Sequence, residues 1–553
     1  MPDLSRLIDD FLHNEFETSP IQASSLGLTE YDERLDDLSA AAFHKRDADA
    51  ETYLGRFEAL PDEGLDLHQR IDRDLAVALL RGRTIAADWQ GWKRDPIVYS
   101  GPVLNSLFML FLHRLRPNAD LVDAALARLE QIPRALEQGR ANLDAGLAHP
   151  LIVERGLNSA RAGARYVRDL LIAEAETDSG RDRLRAAGAV AGDAFDAWVA
   201  YLEGFLPRAS GDWQWGEERY TRMLRERESL NHDARSLREM GRAEYERLDA
   251  EMRALCHDIR GTDDWRHVLE EANENHPRTE VEMQRAYAEW TERARVFLAE
   301  TGLVTLPVGE SCAVVPSPVF QRPVLGVAFY IAPPGFSDRL AGHFFVPFAP
   351  DGTPQEEVQK RLASNNYGSI PTTSVHEAYP GHHWHLTWSK LNSSRIRRVL
   401  STPYFSEGWA LYSERVMRER GFFTDPLQEL YHLEATIFRA ARIVVDTSLH
   451  LGEMSFEEAV TFMTTKVPLP EPTARAEVGR YCWWPTQASA YLTGCLEILR
   501  IRGRFLEARG LASVPPAEVD VAVLRDFHDR LAGSGRLPLG LAERAVMESA
   551  PDM

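Results

Sequence analysis

At 553 residues, with 63 Lys+Arg against 84 Asp+Glu and a formal charge of −21, the chain can bury a large core. It lacks the basic excess of a surface built to neutralise nucleic-acid phosphates. Its four cysteines, Cys256, Cys312, Cys482 and Cys495, form no C-x-x-C pair, no run approaches the roughly 18 apolar residues of a membrane span, and the acidic start Met1-Pro2-Asp3-Leu4 lacks the features of an export signal, so the sequence predicts a cytoplasmic protein with free thiols and with neither nucleic acid nor membrane as partner.

Residues 1–300 read as an N-terminal helical region. In the stretch from Asp120 to Glu130 apolar positions recur every three or four residues, the period of one buried helix face. The charged run from Arg225 to Arg253, with spaced Leu, Met and Tyr, reads as a helix with one solvated face. Residues 301–553 form a second region, packed with the first as one body. It opens with β-branched and aromatic clusters at 303–307, 313–316, 327–330 and 343–348, which predict a small sheet beside the active-site cleft. An edge of that sheet could hold an extended peptide through main-chain hydrogen bonds. Helical periodicity then returns over about 372–389, 404–421, 427–451 and 485–508.

The first of these helices carries His376-Glu377-Ala378-Tyr379-Pro380-Gly381-His382-His383. In an H-E-x-x-H helix, two histidines four apart share a face and bind zinc, and the Glu activates a water molecule. Here position i+4 is Pro380. On a regular helix His382 would sit roughly 120° off the His376 face, and His383 would return to that face about 10.5 Å away, too far to share one ion. The helix must therefore deform. Pro380 has no N–H for the carbonyl of His376 and Gly381 tolerates nearly any backbone angles, so a Pro-Gly bulge can bring His382 round to His376.

Downstream lies Glu407-Gly408-Trp409-Ala410-Leu411-Tyr412-Ser413-Glu414, and the two motifs together resemble the bacterial family catalogued as domain of unknown function 885. Further blocks carry the likeness: Arg439 to Thr447 with His450, Pro485 to Gly494, and Leu26 to Asp32 near the start; Ser448 stands where the family's pattern has glycine. The family is similar to gluzincin metallopeptidases. The resemblance implies a mainly α fold, a large helical body with a small β-sheet beside a deep cleft. It also implies that Glu407, from a second helix, completes a ligand set with His376 and His382 for one zinc ion per chain, with Glu377 as general base. His382 is preferred to His383 because Gly-His matches the end of related stretched motifs.

Other residues take candidate roles around this set. Tyr491 is placed to donate a hydrogen bond to the oxyanion of amide hydrolysis. His383 and Glu414 are candidates for substrate contact or for orienting a ligand. Arg439, Arg442 and Arg480 could each fix a substrate carboxylate. Asp446 and His450, four apart, would share a helix face as a buried hydrogen-bonded pair. The function expected is a zinc-dependent peptidase or amidase acting on short peptides or peptide-like small molecules. Two other readings are open: a metal-dependent hydrolase of a non-peptide C–N or ester bond, and a helical binding protein with a structural metal. The second is disfavoured by Glu377, since a structural site closes with four protein ligands and needs no base.

Overall fold

Helices make up most of residues 4–319, 321–322 and 326–548, the part of the chain that the computed structural model describes. One large core joins Leu7 and Phe11 near the start to Leu539 and Val546 near the end, and passes through Tyr287, Val375, Trp384 and Trp409. A second core, from Ile21 to Ala209, holds Tyr99, Leu129, Phe195 and Trp198. A third gathers Trp213 with Val445, Val478 and Tyr481. The two motif segments are built into the first of these, so the candidate ligands stand beside the largest of the three cores.

Three short strands form one sheet in the order β1 (Ser311–Pro316), β3 (Ala341–Val346), β2 (Phe329–Ile331). β1 runs parallel to β3 with Val314 opposite Phe344, and β2 runs antiparallel to β3 with Tyr330 opposite the same residue. The cluster at 303–307 is no strand. Its backbone is satisfied by side chains instead: the Thr305 N–H donates to Asp529 at 3.0 Å, and the Thr305 carbonyl accepts from Trp384 Nε1 at 2.9 Å. Leu303 and Val304 are buried in the core, so an apolar run that looks like a strand is here a packed connector.

The motif helix is two helices, Ile370–Glu377 and His382–Lys390, with the break at Ala378 to Gly381 and a cis peptide between Tyr379 and Pro380. Proline removes the donor that would continue the first helix. Gly381 then folds back until its N–H donates to the Val375 carbonyl at 3.1 Å. A Cβ on Gly381 would stand 2.0 Å from the His376 carbonyl oxygen and 2.1 Å from that of Val375, so only glycine fits this return.

The second motif lies on Pro403–Glu419, which starts with Thr402 accepting from the Tyr404 N–H and proline in the first turn. Pro426–His450 starts the same way, with Asp425 accepting from the Leu427 N–H. The last predicted helix begins at Ala490 rather than 485, because Thr486 adopts a left-handed φ of +69° that a helix cannot contain. The resulting helix Ala490–Glu507 crosses Pro403–Glu419 in backbone contact. A Cβ on Gly408 would lie 2.5 Å from Gly494 Cα, and one on Gly494 would lie 2.0 Å from the Tyr404 carbonyl oxygen. Two glycines at one crossing set the residues just before Gly408 close to the start of the partner helix, where Tyr491 stands.

Candidate metal centre

The break and the crossing bring His376, His382 and Glu407 together, with one ligand atom from each within 4.8 Å of the others. His382 Nε2 is 3.3 Å from Glu407 Oε2, and His376 Nε2 is 3.8 Å from the same oxygen. The two imidazole planes stand at 89° with centroids 4.9 Å apart. Donors around one tetrahedral zinc ion at 2.0–2.1 Å lie about 3.3 Å from one another. The set therefore fits a divalent cation with small adjustments, and two imidazoles with one carboxylate are donors that suit zinc. His376 Nδ1 donates to Glu414 Oε1 at 2.7 Å, which directs Nε2 toward the other two residues. Glu414 is fully buried, and its other oxygen lies 3.3 Å from His432 Nδ1. Burial works to raise the Glu414 carboxyl, but the two imidazoles outweigh it and hold it down at about 2. Glu407 is held well below the usual carboxylate range by the same contest, burial against His376 and His382.

Glu377 follows His376 directly and is buried, yet its carboxylate makes no side-chain hydrogen bond among the described residues. Burial raises its pKa, against the charges of His376 and His382. A basic, unengaged carboxylate beside a cation site is equipped to take a proton. The Tyr491 ring stacks on His376 with centroids 6.4 Å apart and planes within 19°. Gln487 Nε2 donates to the Tyr491 oxygen at 3.2 Å, while the Gln487 carbonyl accepts from Arg480. With its carbonyl so engaged, Gln487 presents its N–H to the phenol oxygen and leaves the phenolic hydrogen free.

The remaining candidates are outside the ligand group. His383 is fully buried between Glu310, 2.6 Å from Nε2, and the Tyr330 hydroxyl, 2.9 Å from Nδ1. The fold-back at Gly381 sends neighbouring side chains to opposite sides, so His383 ties the broken helix to the sheet and has no opening to a substrate. Asp446 and His450 are not a hydrogen-bonded pair. Their nearest atoms are 3.7 Å apart; Asp446 accepts from Tyr220, and His450 bonds the Tyr481 carbonyl at 3.0 Å and the Trp215 N–H at 3.3 Å. Arg442 and Arg480 share one carboxylate, Glu477, at 2.8 and 3.0 Å. Arg439 pairs with none among the described residues, and its Nη1 donates to the Ala435 carbonyl at 2.8 Å.

Sequence reasoning missed His432, Glu310, Glu477 and Gln487. Three of them carry a spacing signal: His432 is two helical turns before Arg439, Glu477 one turn before Arg480, and Gln487 four residues before Tyr491. Glu310 carries none, since it precedes a strand in an irregular segment. A cavity of about 510 Å³ lined by Trp89, Trp213, Trp215, Trp483 and Thr486 has none of the three ligand candidates on its wall.

Residues 20–546 match the bacterial family of proteins of unknown function DUF885, and the chain belongs to that family. Two solved structures share its fold over nearly the whole length of both chains. One is described as a "putative lipoprotein of unknown function" from Shewanella oneidensis, with TM-score 0.78 and 19% identity over 98% of this chain and 99% of that one. The other is described as a "putative lipoprotein" from Colwellia psychrerythraea, with TM-score 0.82 and 19% identity over 99% and 98%. No curated protein matches the chain. Among the described residues no single helix is long and apolar enough to cross a membrane, although the bent pair Leu67–Lys93 and Ile97–His113 passes that test jointly.

Proposed function

We propose that this chain is a zinc-dependent hydrolase of peptide or peptide-like amide bonds in small substrates, of the gluzincin-like kind, with His376, His382 and Glu407 as ligands. The observation that carries the reading is that three donor atoms converge within 4.8 Å while the adjacent Glu377 carboxylate makes no side-chain hydrogen bond among the described residues. Three protein donors rather than four leave a position for chemistry. A zinc ion held there would polarise the scissile carbonyl and make a water molecule more acidic.

The chain's own groups supply the proton traffic. Glu377 accepts a proton from the attacking water as the new C–O bond forms. It passes that proton to the amide nitrogen as the C–N bond breaks, so the products are a carboxylic acid and an amine. Tyr491, its oxygen already occupied by Gln487, turns its hydrogen to the negative oxygen that develops on the carbonyl. β1 is an edge strand in the same neighbourhood, since Glu310, the residue just before it, lies 2.6 Å from His383 Nε2 and accepts from Tyr379 at the helix break. An extended substrate can lie along its first residues, since farther on the Val314 carbonyl already accepts from Gln284 Nε2 at 3.0 Å. All four thiols are free, which supports a reducing, cytoplasmic setting.

Metal analysis of the purified protein with turnover of N-blocked dipeptides tests the reading. About one zinc per chain is expected in both wild type and Glu377→Gln, with turnover in the first and none in the second. A zinc-free wild type, or an active Glu377→Gln, overturns it.

A further inference from the structure

Three arginines stand near Tyr491, and the structure separates them by what each already does. Arg442 donates to Glu477 at 2.8 Å and to the Tyr481 hydroxyl at 3.1 Å. Arg480 donates to Glu477 at 3.0 Å and to Gln487. Their charge is committed to one carboxylate and to the amide that orients Tyr491. Arg439 is different. No carboxylate lies within ion-pair distance among the described residues, its Nε is buried without a hydrogen-bond partner, and one carbonyl accepts from Nη1. Glu377, Glu414 and Glu434 act on this half-buried guanidinium only through space, none of them within ion-pair distance, so its fork is open to a close pair with a carboxylate brought from outside the chain.

Its position suits such a partner. The guanidinium carbon lies 5.9 Å from the Tyr491 ring centroid, and that ring stacks on His376 at 6.4 Å. Two short steps therefore separate Arg439 from the candidate metal ligand. A substrate's terminal carboxylate sits one residue beyond the scissile carbonyl, about 3.8 Å between successive Cα atoms, and a charge-assisted hydrogen bond adds about 2.8 Å. Arg439 shares a face of Pro426–His450 with His432, seven residues earlier, whose Nδ1 contacts Glu414. One face of one helix thus supports the histidine's carboxylate and presents the uncommitted cation.

We propose that Arg439 binds the free C-terminal carboxylate of the substrate, so that the bond cleaved is the last amide of a short peptide or peptide-like acid. This rests on the hydrolase reading for the word "cleaved", and on the placement of Arg439 alone for the binding.

The test uses the full-length, zinc-loaded Glu377→Gln protein, which does not turn substrate over under that reading. Equilibrium dialysis compares N-acetyl dialanine with its C-terminal amide. The acid is expected to bind about 10- to 100-fold tighter, the range of a charged hydrogen-bonded contact. Adding Arg439→Gln should remove that preference with zinc content and helical circular dichroism unchanged. Equal binding of acid and amide, or a preference that survives Arg439→Gln, overturns the proposal. Should Arg439→Gln not fold, Arg439→Lys keeps the charge but loses the planar fork, and an undiminished preference in that variant overturns it equally. Wild-type turnover is a separate readout: a protein that prefers the acid in binding and hydrolyses neither compound keeps the carboxylate site and loses the hydrolase.

Discussion

His376 Nδ1 lies 2.7 Å from Glu414 Oε1, and Glu414 has 0% of its surface exposed. Nothing in seven-residue spacing on Pro403–Glu419 distinguishes such a residue from a surface ion-pair partner; burial does. A carboxylate behind a ligating imidazole fixes which nitrogen faces the metal and raises its basicity. Glu414→Gln keeps the shape and removes the charge. Zinc affinity, measured by competition with a chelator, should fall about 10- to 100-fold. Unchanged affinity would show that Glu414 orients nothing.

Gly408 and Gly494 make the second relationship the site depends on. Alanine is normally favoured over glycine inside a helix by about 0.5–1 kcal/mol. At position 408 its methyl would enter the space of Gly494 Cα, at 2.5 Å, and backbone cannot move aside cheaply. Overpacking of this kind costs about 1–3 kcal/mol and should outweigh the helical gain. Gly408→Ala is expected to lower the melting temperature and the zinc affinity together. Gly503→Ala, on the partner helix where nothing lies within 4 Å of the added carbon, should raise the melting temperature slightly. Equal effects at the two positions would refute the crossing as the cause.

These two cases mark what the sequence makes legible. The pair His376 and His382 can be matched before any coordinates, because proline and glycine at 380 and 381 have only a few backbone consequences. The helical body and a small sheet follow from periodicity and β-branched runs. The 303–307 segment misleads, because its strand-like composition serves burial while Asp529 and Trp384 take its backbone groups. The roles of Arg439, Arg442 and Arg480 are illegible in the sequence for a related reason. Which arginine is left over is decided by where Glu477 falls, on the separate helix Glu471–Trp483. His383 sits one residue from His382 yet faces Glu310, and that opposition appears only once the helix is known to fold back.

Tyr491 offers a test of the chemistry that leaves the metal alone. Tyr491→Phe removes the phenolic oxygen and keeps the ring that stacks on His376. If the free hydrogen serves the developing oxyanion, kcat should fall about 10²- to 10³-fold, the usual loss for one such donor. KM and zinc content should change little. A rise in KM with kcat preserved would place Tyr491 in substrate binding instead.

Asp446 and His450 leave a mark on stability rather than on catalysis. Burial pushes Asp446 up to about 7 from its ordinary 3.8, and pushes His450 down to about 4 from 6.5. The signs oppose. A carboxyl raised in the folded state binds its proton more tightly there than in the unfolded chain, so its contribution is full below pH 4 and is lost as the pH climbs toward 7. A histidine depressed in the folded state gives the reverse, a contribution lost as the pH falls from 6.5 toward 4. In the wild type the two slopes largely cancel over that window. Asp446→Asn removes only the first: its amide oxygen can still accept from Tyr220, and it has no charge to bury. Relative to wild type, the variant should gain stability as the pH rises from 4 to 7, by about 1.4 kcal/mol per pH unit at most. Urea unfolding at pH 4, 5.5 and 7 measures this directly. A stability difference that stays flat across those three values would mean that Asp446 is charged in the fold.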